Sequence, residues 1–167
     1  MAALNAAAIK ELRDKTGAGV MECKRALDEA GGSVVKAAEL LRERGIAHVE
    51  KVAGRQVSHG LIEAYIHAGG RIGTLVEINC ETDFVGRTDE FKALAHDIAM
   101  QVAATNPRYL CPEDVPADAP DEERVCLLQQ PFIKEPGKTV QDVVNDAIAK
   151  LRENIRIRRY TRYELGA

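Results

Sequence analysis

Tryptophan is absent from this chain, and only three phenylalanines and four tyrosines occur among its 167 residues. The interior must therefore be built from Leu, Ile, Val and Ala, and few rings remain for stacking on nucleobases. A phenylalanine outside a periodic segment stands out. Long apolar runs are missing too: nothing approaches the about 20 residues of a membrane-spanning helix. Lys10, Arg13 and Asp14 interrupt the N-terminus before a signal core can form, so neither secretion nor membrane insertion is expected. The four cysteines, at 23, 80, 111 and 126, lack the spacing of a metal or redox motif. Free thiols in a reducing cytoplasm are the expectation. Positive charge is not in excess: 23 Lys and Arg face 26 Asp and Glu, a net charge of −3. That argues against a general electrostatic grip on nucleic acid.

The composition that remains is globular, 46% hydrophobic and 29% charged. A chain of this size buries roughly two-thirds of its unfolded surface without needing metal or disulfide. Residues 1–45 read as three short helices. In the first, from about Asn5 to Lys15, Asn5 is placed to cap and Ala8, Ile9 and Leu12 share a face. Gly17 suits the positive φ of its end. The second starts after Gly19, holds Val20, Met21, Cys23, Ala26 and Leu27, and stops at Gly31-Gly32. Ser33 caps the third, Val34, Ala37, Ala38 and Leu41 form its inner stripe, and Gly45 is expected to close it. A bundle this small serves as a docking module. Residues 46–58 have weak periodicity and read as a linker.

From 59 to 167 the pattern is α+β. The period falls to two in Leu61–His67, with 62, 64 and 66 facing one way, and again in Ile72–Cys80; Gly69-Gly70 between them predicts a hairpin. Glu81 to Arg87 has no period and reads as a loop. Thr88 caps a helix with the stripe Phe91, Leu94, Ala95, Ile98 and Val102. Residues 107–124, with four prolines and six acids, read as a solvated loop. After a turn at Pro136-Gly137, Thr139 and Asp142 open a further helix with the stripe Val140, Val143, Val144, Ala147, Ile148 and Leu151. A strand from Ile155 to Leu165 ends the chain, with Ile155, Ile157, Thr161 and Tyr163 alternating with Arg156, Arg158, Tyr160 and Arg162. The expected core is a three-stranded antiparallel sheet with flanking helices.

Catalytic signatures are scarce. Cys80 stands beside Glu81 and Asp83, but His48, His59, His67 and His96 are scattered and none adjoins it. Glu81 and Asp83 are too few to close a metal site. Gly17-Ala18-Gly19 follows a helix rather than a strand and is a turn, not a phosphate loop. Arg156, Arg158, Arg159 and Arg162 either contact an RNA backbone or form the solvated face of a strand that guards a sheet edge, and the charge balance favours the second. Two features point to partner binding instead. Phe84 sits in the aperiodic loop and either plugs the core or projects with Asp83 toward another protein. Val20 and Met21 are adjacent on a short helix and cannot both face a small core, so one is expected to stay outside, where methionine suits an adaptable surface.

These residues also carry a resemblance. Ile9-Lys10-Glu11-Leu12-Arg13, Thr16 to Met21 and Cys23-Lys24-Arg25-Ala26-Leu27 look like the N-terminal module of the elongation factor Ts family. Asn79-Cys80-Glu81-Thr82-Asp83-Phe84-Val85 resembles its central signature, and Glu153-Asn154-Ile155 through Tyr163-Glu164-Leu165-Gly166-Ala167 resembles the ending of its short bacterial form. The resemblance implies a ubiquitin-associated-like three-helix bundle ahead of the α+β core. It implies a guanine nucleotide exchange factor for the translational GTPase elongation factor Tu, without enzymatic activity, cofactor or directly bound nucleotide, and leaves a homodimer open. Val20, Met21 and Lys24 would contact the partner, supported by Leu12. Thr82, Asp83, Phe84 and Val85 would displace the partner's Mg²⁺, with Phe84 wedged between its helices. The chain departs from the family's pattern at Asp121-Glu122-Glu123-Arg124, which runs straight into Val125–Phe132 where short members carry a further helical stretch. Gly86 stands where alanine is more usual.

Overall fold

The computed structural model describes residues 6–120 and 125–167. Asn5 and the junction at 121–124 lie outside them. Three helices come first: α1 (Ala6–Thr16), α2 (Val20–Glu29) and α3 (Val34–Val52). Leu12, Cys23, Ala26, Leu27 and Ala37 are buried between them, with Ile9, Val34 and Leu41 packed alongside. Gly17 ends α1 at φ +66°, its N–H on the Arg13 carbonyl at 2.8 Å. Ser33 caps α3 by accepting the Lys36 N–H at 3.4 Å.

Gly45 does not close α3, which continues to Val52. The glycine is a packing point instead: a Cβ built there would lie 3.3 Å from that of Ala149. The last turns of α3 therefore press on the core, and Val49 and Val52 join its hydrophobic cluster. The linker expected at 46–58 is helical through 52.

The core sheet has the order β1-β2-β5, all antiparallel, from β1 (His59–Ile66), β2 (Ile72–Cys80) and β5 (Ile155–Glu164). Gly69 and Gly70 make the hairpin turn at φ +88° and +68°. On β2, Thr74, Val76, Ile78 and Cys80 are buried, as the alternation requires. They face α5 (Asp89–Thr105), which contributes Phe91, Leu94, Ala95, Ile98 and Val102 to the core. Thr88 caps α5 through the Phe91 N–H at 3.3 Å. A two-stranded hairpin, β3 (Pro131–Phe132) and β4 (Glu135–Thr139), precedes α6 (Val140–Leu151). Pro136-Gly137 lies within β4 rather than in the turn, which falls at Ile133-Lys134. The buried Gln101 amide organises this hairpin: it accepts the Ile133 N–H at 2.8 Å and donates to the Pro131 carbonyl at 3.2 Å.

The alternation expected on the last strand fails halfway. Glu77 pairs with Arg159 and Ile78 with Ile157, so Arg158 is an extra residue, a β-bulge. Past it the faces exchange: Ile155 and Ile157 point inward, then Tyr160 and Arg162, whose side chains bond the carbonyls of Pro107 and Ala103 at 3.0 Å each. Tyr163 and Arg159 point outward, and both are exposed.

Candidate functional site

The segment read as a loop after β2 is a helical turn, α4 (Asp83–Gly86). Thr82 stands before it in extended conformation, and its hydroxyl oxygen accepts the Val85 N–H at 3.4 Å. The Gly86 N–H returns to the Thr82 carbonyl at 3.3 Å and the Arg87 N–H to that of Asp83 at 3.2 Å. One turn sorts its side chains sharply. Val85 and Gly86 are buried, while Phe84 is 78% exposed. The alternative in which this ring plugs its own core is excluded; Phe91 and Phe132 fill that interior. Asp83 also projects and pairs with Arg87 at 2.7 Å.

Glycine is required beneath the turn. Gly60 on β1 has φ +135°, and a Cβ there would lie 2.1 Å from the Ile78 carbonyl oxygen. Gly86 packs against the same glycine, its virtual Cβ 3.5 Å from the Gly60 Cα and from the Cys80 sulfur. An open groove of about 620 Å³ runs beside the turn, bordered by His59, Asn79, Asp83, Arg87 and Arg159.

Cys80, weighed above as a nucleophile, is buried and donates its thiol hydrogen to the Thr82 carbonyl at 3.0 Å. Burial first, then the Glu153 carboxylate, pushes its pKa up to about 11, so the thiol holds its proton at neutral pH. Glu81 is engaged too: it accepts the Asn154 N–H at 2.7 Å and pairs with Arg55 at 3.3 Å. Among the described residues no cluster of three or more His, Cys, Asp or Glu side chains is arranged to hold a metal. The arginines of β5 are engaged within the chain. Arg156 bonds the Ala53 carbonyl, and Arg158 and Arg159 share Glu77 at 3.5 and 2.7 Å. Desolvation raises the Glu77 pKa, but hydrogen bonds from Arg159 and Asn79 outweigh it and hold the carboxyl below its usual value.

The second group of candidates lies on α2. Leu12 is fully buried beneath it. Val20 and Met21 are both exposed, at 50% and 63%, rather than one of the pair. The reason is α2's inward stripe, which is complete with Cys23, Ala26 and Leu27. Lys24 is exposed, one helical turn beyond Val20 and Met21. Glu22, between them, accepts the Gly19 N–H at 3.4 Å and pairs with Arg152 of the core at 2.6 Å. Sequence reasoning names Glu153 and Asn154 only as part of the C-terminal resemblance and misses that they, with Arg152, join the two regions; that signal is a spatial one, spread over α2, α3 and the end of β2.

The sequence model of the family described as Elongation factor TS matches residues 6–125. Curated relatives match over nearly the whole chain. An Elongation factor Ts of Carboxydothermus hydrogenoformans is 51% identical, covering 95% of this chain and 87% of that protein. Those of a Thermoanaerobacter species and of Finegoldia magna are 48% and 47% identical, over 98% and 99% of this chain and 95% and 91% of their own lengths. The Carboxydothermus alignment spans 189 positions against 167 residues here, so that relative carries residues this chain lacks.

Proposed function

Because the chain belongs to the elongation factor Ts family, and is thereby a translation elongation factor of protein biosynthesis, we propose that it acts as a guanine nucleotide exchange factor for elongation factor Tu. In this reading it works by binding alone, makes and breaks no covalent bond, and holds no nucleotide itself. The observation that carries the reading is the Phe84 ring, held 78% exposed on a capped turn that is anchored by the buried Val85 and Gly86. An exposed phenylalanine on a built support gains apolar contact only when another surface covers it.

Exchange requires the factor to bind nucleotide-free elongation factor Tu more tightly than the GDP complex; equal affinity for both would release nothing. A thousandfold acceleration by this route needs about 4 kcal/mol of difference. Covering a phenylalanine supplies about 1.5–3 kcal/mol. Phe84 therefore cannot account for the whole, and the remainder falls to weakened Mg²⁺ contact in the partner, which leaves the phosphate charge less neutralised. Asp83 projects beside Phe84 and belongs to this discriminating part, which Thr82 and the buried Val85 serve from beneath as the cap and foot of the turn. Val20, Met21 and Lys24, on a preformed helix above Leu12, provide binding common to both nucleotide states, which sets occupancy rather than discrimination.

The test is release of a fluorescent GDP analogue from elongation factor Tu, followed by stopped flow with and without this chain. A saturable acceleration is expected. Unchanged release at saturating concentration rejects the reading.

A further inference from the structure

Three consecutive residues at the junction of α6 and β5 reach three different parts of the molecule. Arg152 pairs with Glu22 on α2. Glu153 holds the segment before α4: its Oε2 accepts the N–H groups of Glu81 and Thr82 at 3.1 and 3.0 Å, and its Oε1 accepts the Thr82 hydroxyl at 2.5 Å. Asn154 is buried, donates its side-chain amide to the Ala53 and Arg55 carbonyls beyond α3 at 3.4 and 2.8 Å, and donates its backbone N–H to Glu81.

The polarity of this network is determined by its donors and acceptors. A threonine hydroxyl has one hydrogen, and an ionised carboxylate only accepts. The Thr82 hydrogen therefore points at Glu153, and a lone pair of the same oxygen is left for the Val85 N–H. Charge-assisted bonds of this type are short and strong. A helix of four residues has no stability of its own, since nucleation costs more than one turn returns. The direction in which Phe84 points is thus set by a carboxylate that lies 71 residues beyond Thr82 in the chain.

We propose that Glu153 is a positioning residue for nucleotide exchange: it orients Thr82 so that the threonine caps α4 and aims Phe84 at the partner. This rests on the exchange reading above. Glu153 does not touch the partner in this scheme, and Arg152 and Asn154 on either side keep the backbone carrying it in place against α2 and α3. Without its carboxylate the turn frays, Phe84 samples other directions, and docking through α2 is left as it was.

The test uses the intact chain as Glu153→Ala, Phe84→Ala and the double variant, with saturation curves for release of fluorescent GDP from elongation factor Tu. Glu153→Ala should lower the maximal rate about tenfold and keep the half-saturating concentration within about twofold; on the Phe84→Ala background it should cost less than about twofold further, because both changes remove one effect. Glu153→Gln, whose carbonyl still accepts the two backbone N–H groups while its amide cannot accept the hydroxyl, should fall between. A maximal rate equal to wild type, a loss that is undiminished on the Phe84→Ala background, or a loss that appears only as a raised half-saturating concentration overturns the proposal. Amide hydrogen exchange separates it from the exchange reading: in Glu153→Ala the Val85 and Gly86 amides should lose protection by about tenfold while those of β2 keep theirs. Retained protection overturns the positioning role whatever elongation factor Tu does, whereas unaccelerated GDP release by the wild-type chain overturns the exchange reading instead. If the alanine variant does not fold, Glu153→Gln carries both measurements.

Discussion

The exposed faces of α2 and α4 present apolar side chains in opposite ways. α2 is a helix of ten residues whose inner stripe, Cys23, Ala26 and Leu27, is buried in its own bundle, and Val20, Met21 and Lys24 are what that stripe leaves outside. α4 is four residues long, and its few local bonds are supported from distant segments: Glu153 holds the capping Thr82, and Gly60 and Cys80 pack beneath the turn. A surface of the first kind is specified locally and survives change at a distance. A surface of the second kind is only as well placed as its neighbours, which suits the proposed role of pressing on a partner in one direction.

The largest effect expected from this contrast comes from Gly60→Ala. The new Cβ would meet the Ile78 carbonyl at 2.1 Å in a backbone conformation that L residues rarely adopt. The β1–β2 pairing under α4 must shift, at a cost of about 3 kcal/mol or more. Calorimetry should show a fall in melting temperature of roughly 10 °C. A melting point within about 2 °C of wild type would mean that the close packing under the turn is not needed.

Phe84→Ala comes next. If the proposed exchange role holds, removing the ring forfeits about 1.5–3 kcal/mol of burial in the partner complex, which is roughly a 10- to 100-fold loss of maximal GDP release. Stability should not change, since the ring covers none of its own core. Met21→Ala sharpens the comparison from the other side. It should raise the half-saturating concentration about fivefold and leave the maximal rate within about twofold, because in the proposed scheme the contact it removes is common to both nucleotide states. If both substitutions changed the same parameter, the two surfaces would not differ in role.

The contrast also explains which features were legible before the structure. The α2 face was accessible because a helix writes its burial pattern every three or four residues, and so were β2 and α5, whose stripes match their buried residues closely. The signature Thr82–Val85 could be located in the chain, but its helical form could not, and the residues alone left Phe84 open between core plug and projection, with only the family resemblance implying the outward direction, since the turn depends on Glu153 and on Gly60. The pattern ends α3 too early, at Gly45, because an isolated glycine reads the same whether it ends a helix or admits the Ala149 methyl of a neighbouring one. The second half of β5 reads inside out from the residues alone, because a bulge at Arg158 inverts the alternation without any local mark in them. In each case the missing information lay in a partner segment distant in sequence.

Gly86 offers the smallest and most discriminating change. Its backbone is helical, with φ outside the left-handed region, and the Cβ of an alanine would rest in ordinary contact at 3.5 Å from both the Cys80 sulfur and the Gly60 Cα. Glycine here costs the turn helix propensity and offers no compensating close approach. Gly86→Ala should therefore stabilise the chain by about 0.5–1 kcal/mol, seen as a rise of about 2–3 °C in melting temperature. Its effect on exchange separates two ways of working. If Phe84 acts from a turn already held by Thr82 and Glu153, further stiffening leaves the maximal rate within about twofold of wild type. If the turn must reshape against elongation factor Tu, the same stiffening slows release while the melting temperature rises, and the contrast between a locally built α2 and an externally held α4 would then be one of mobility rather than of support.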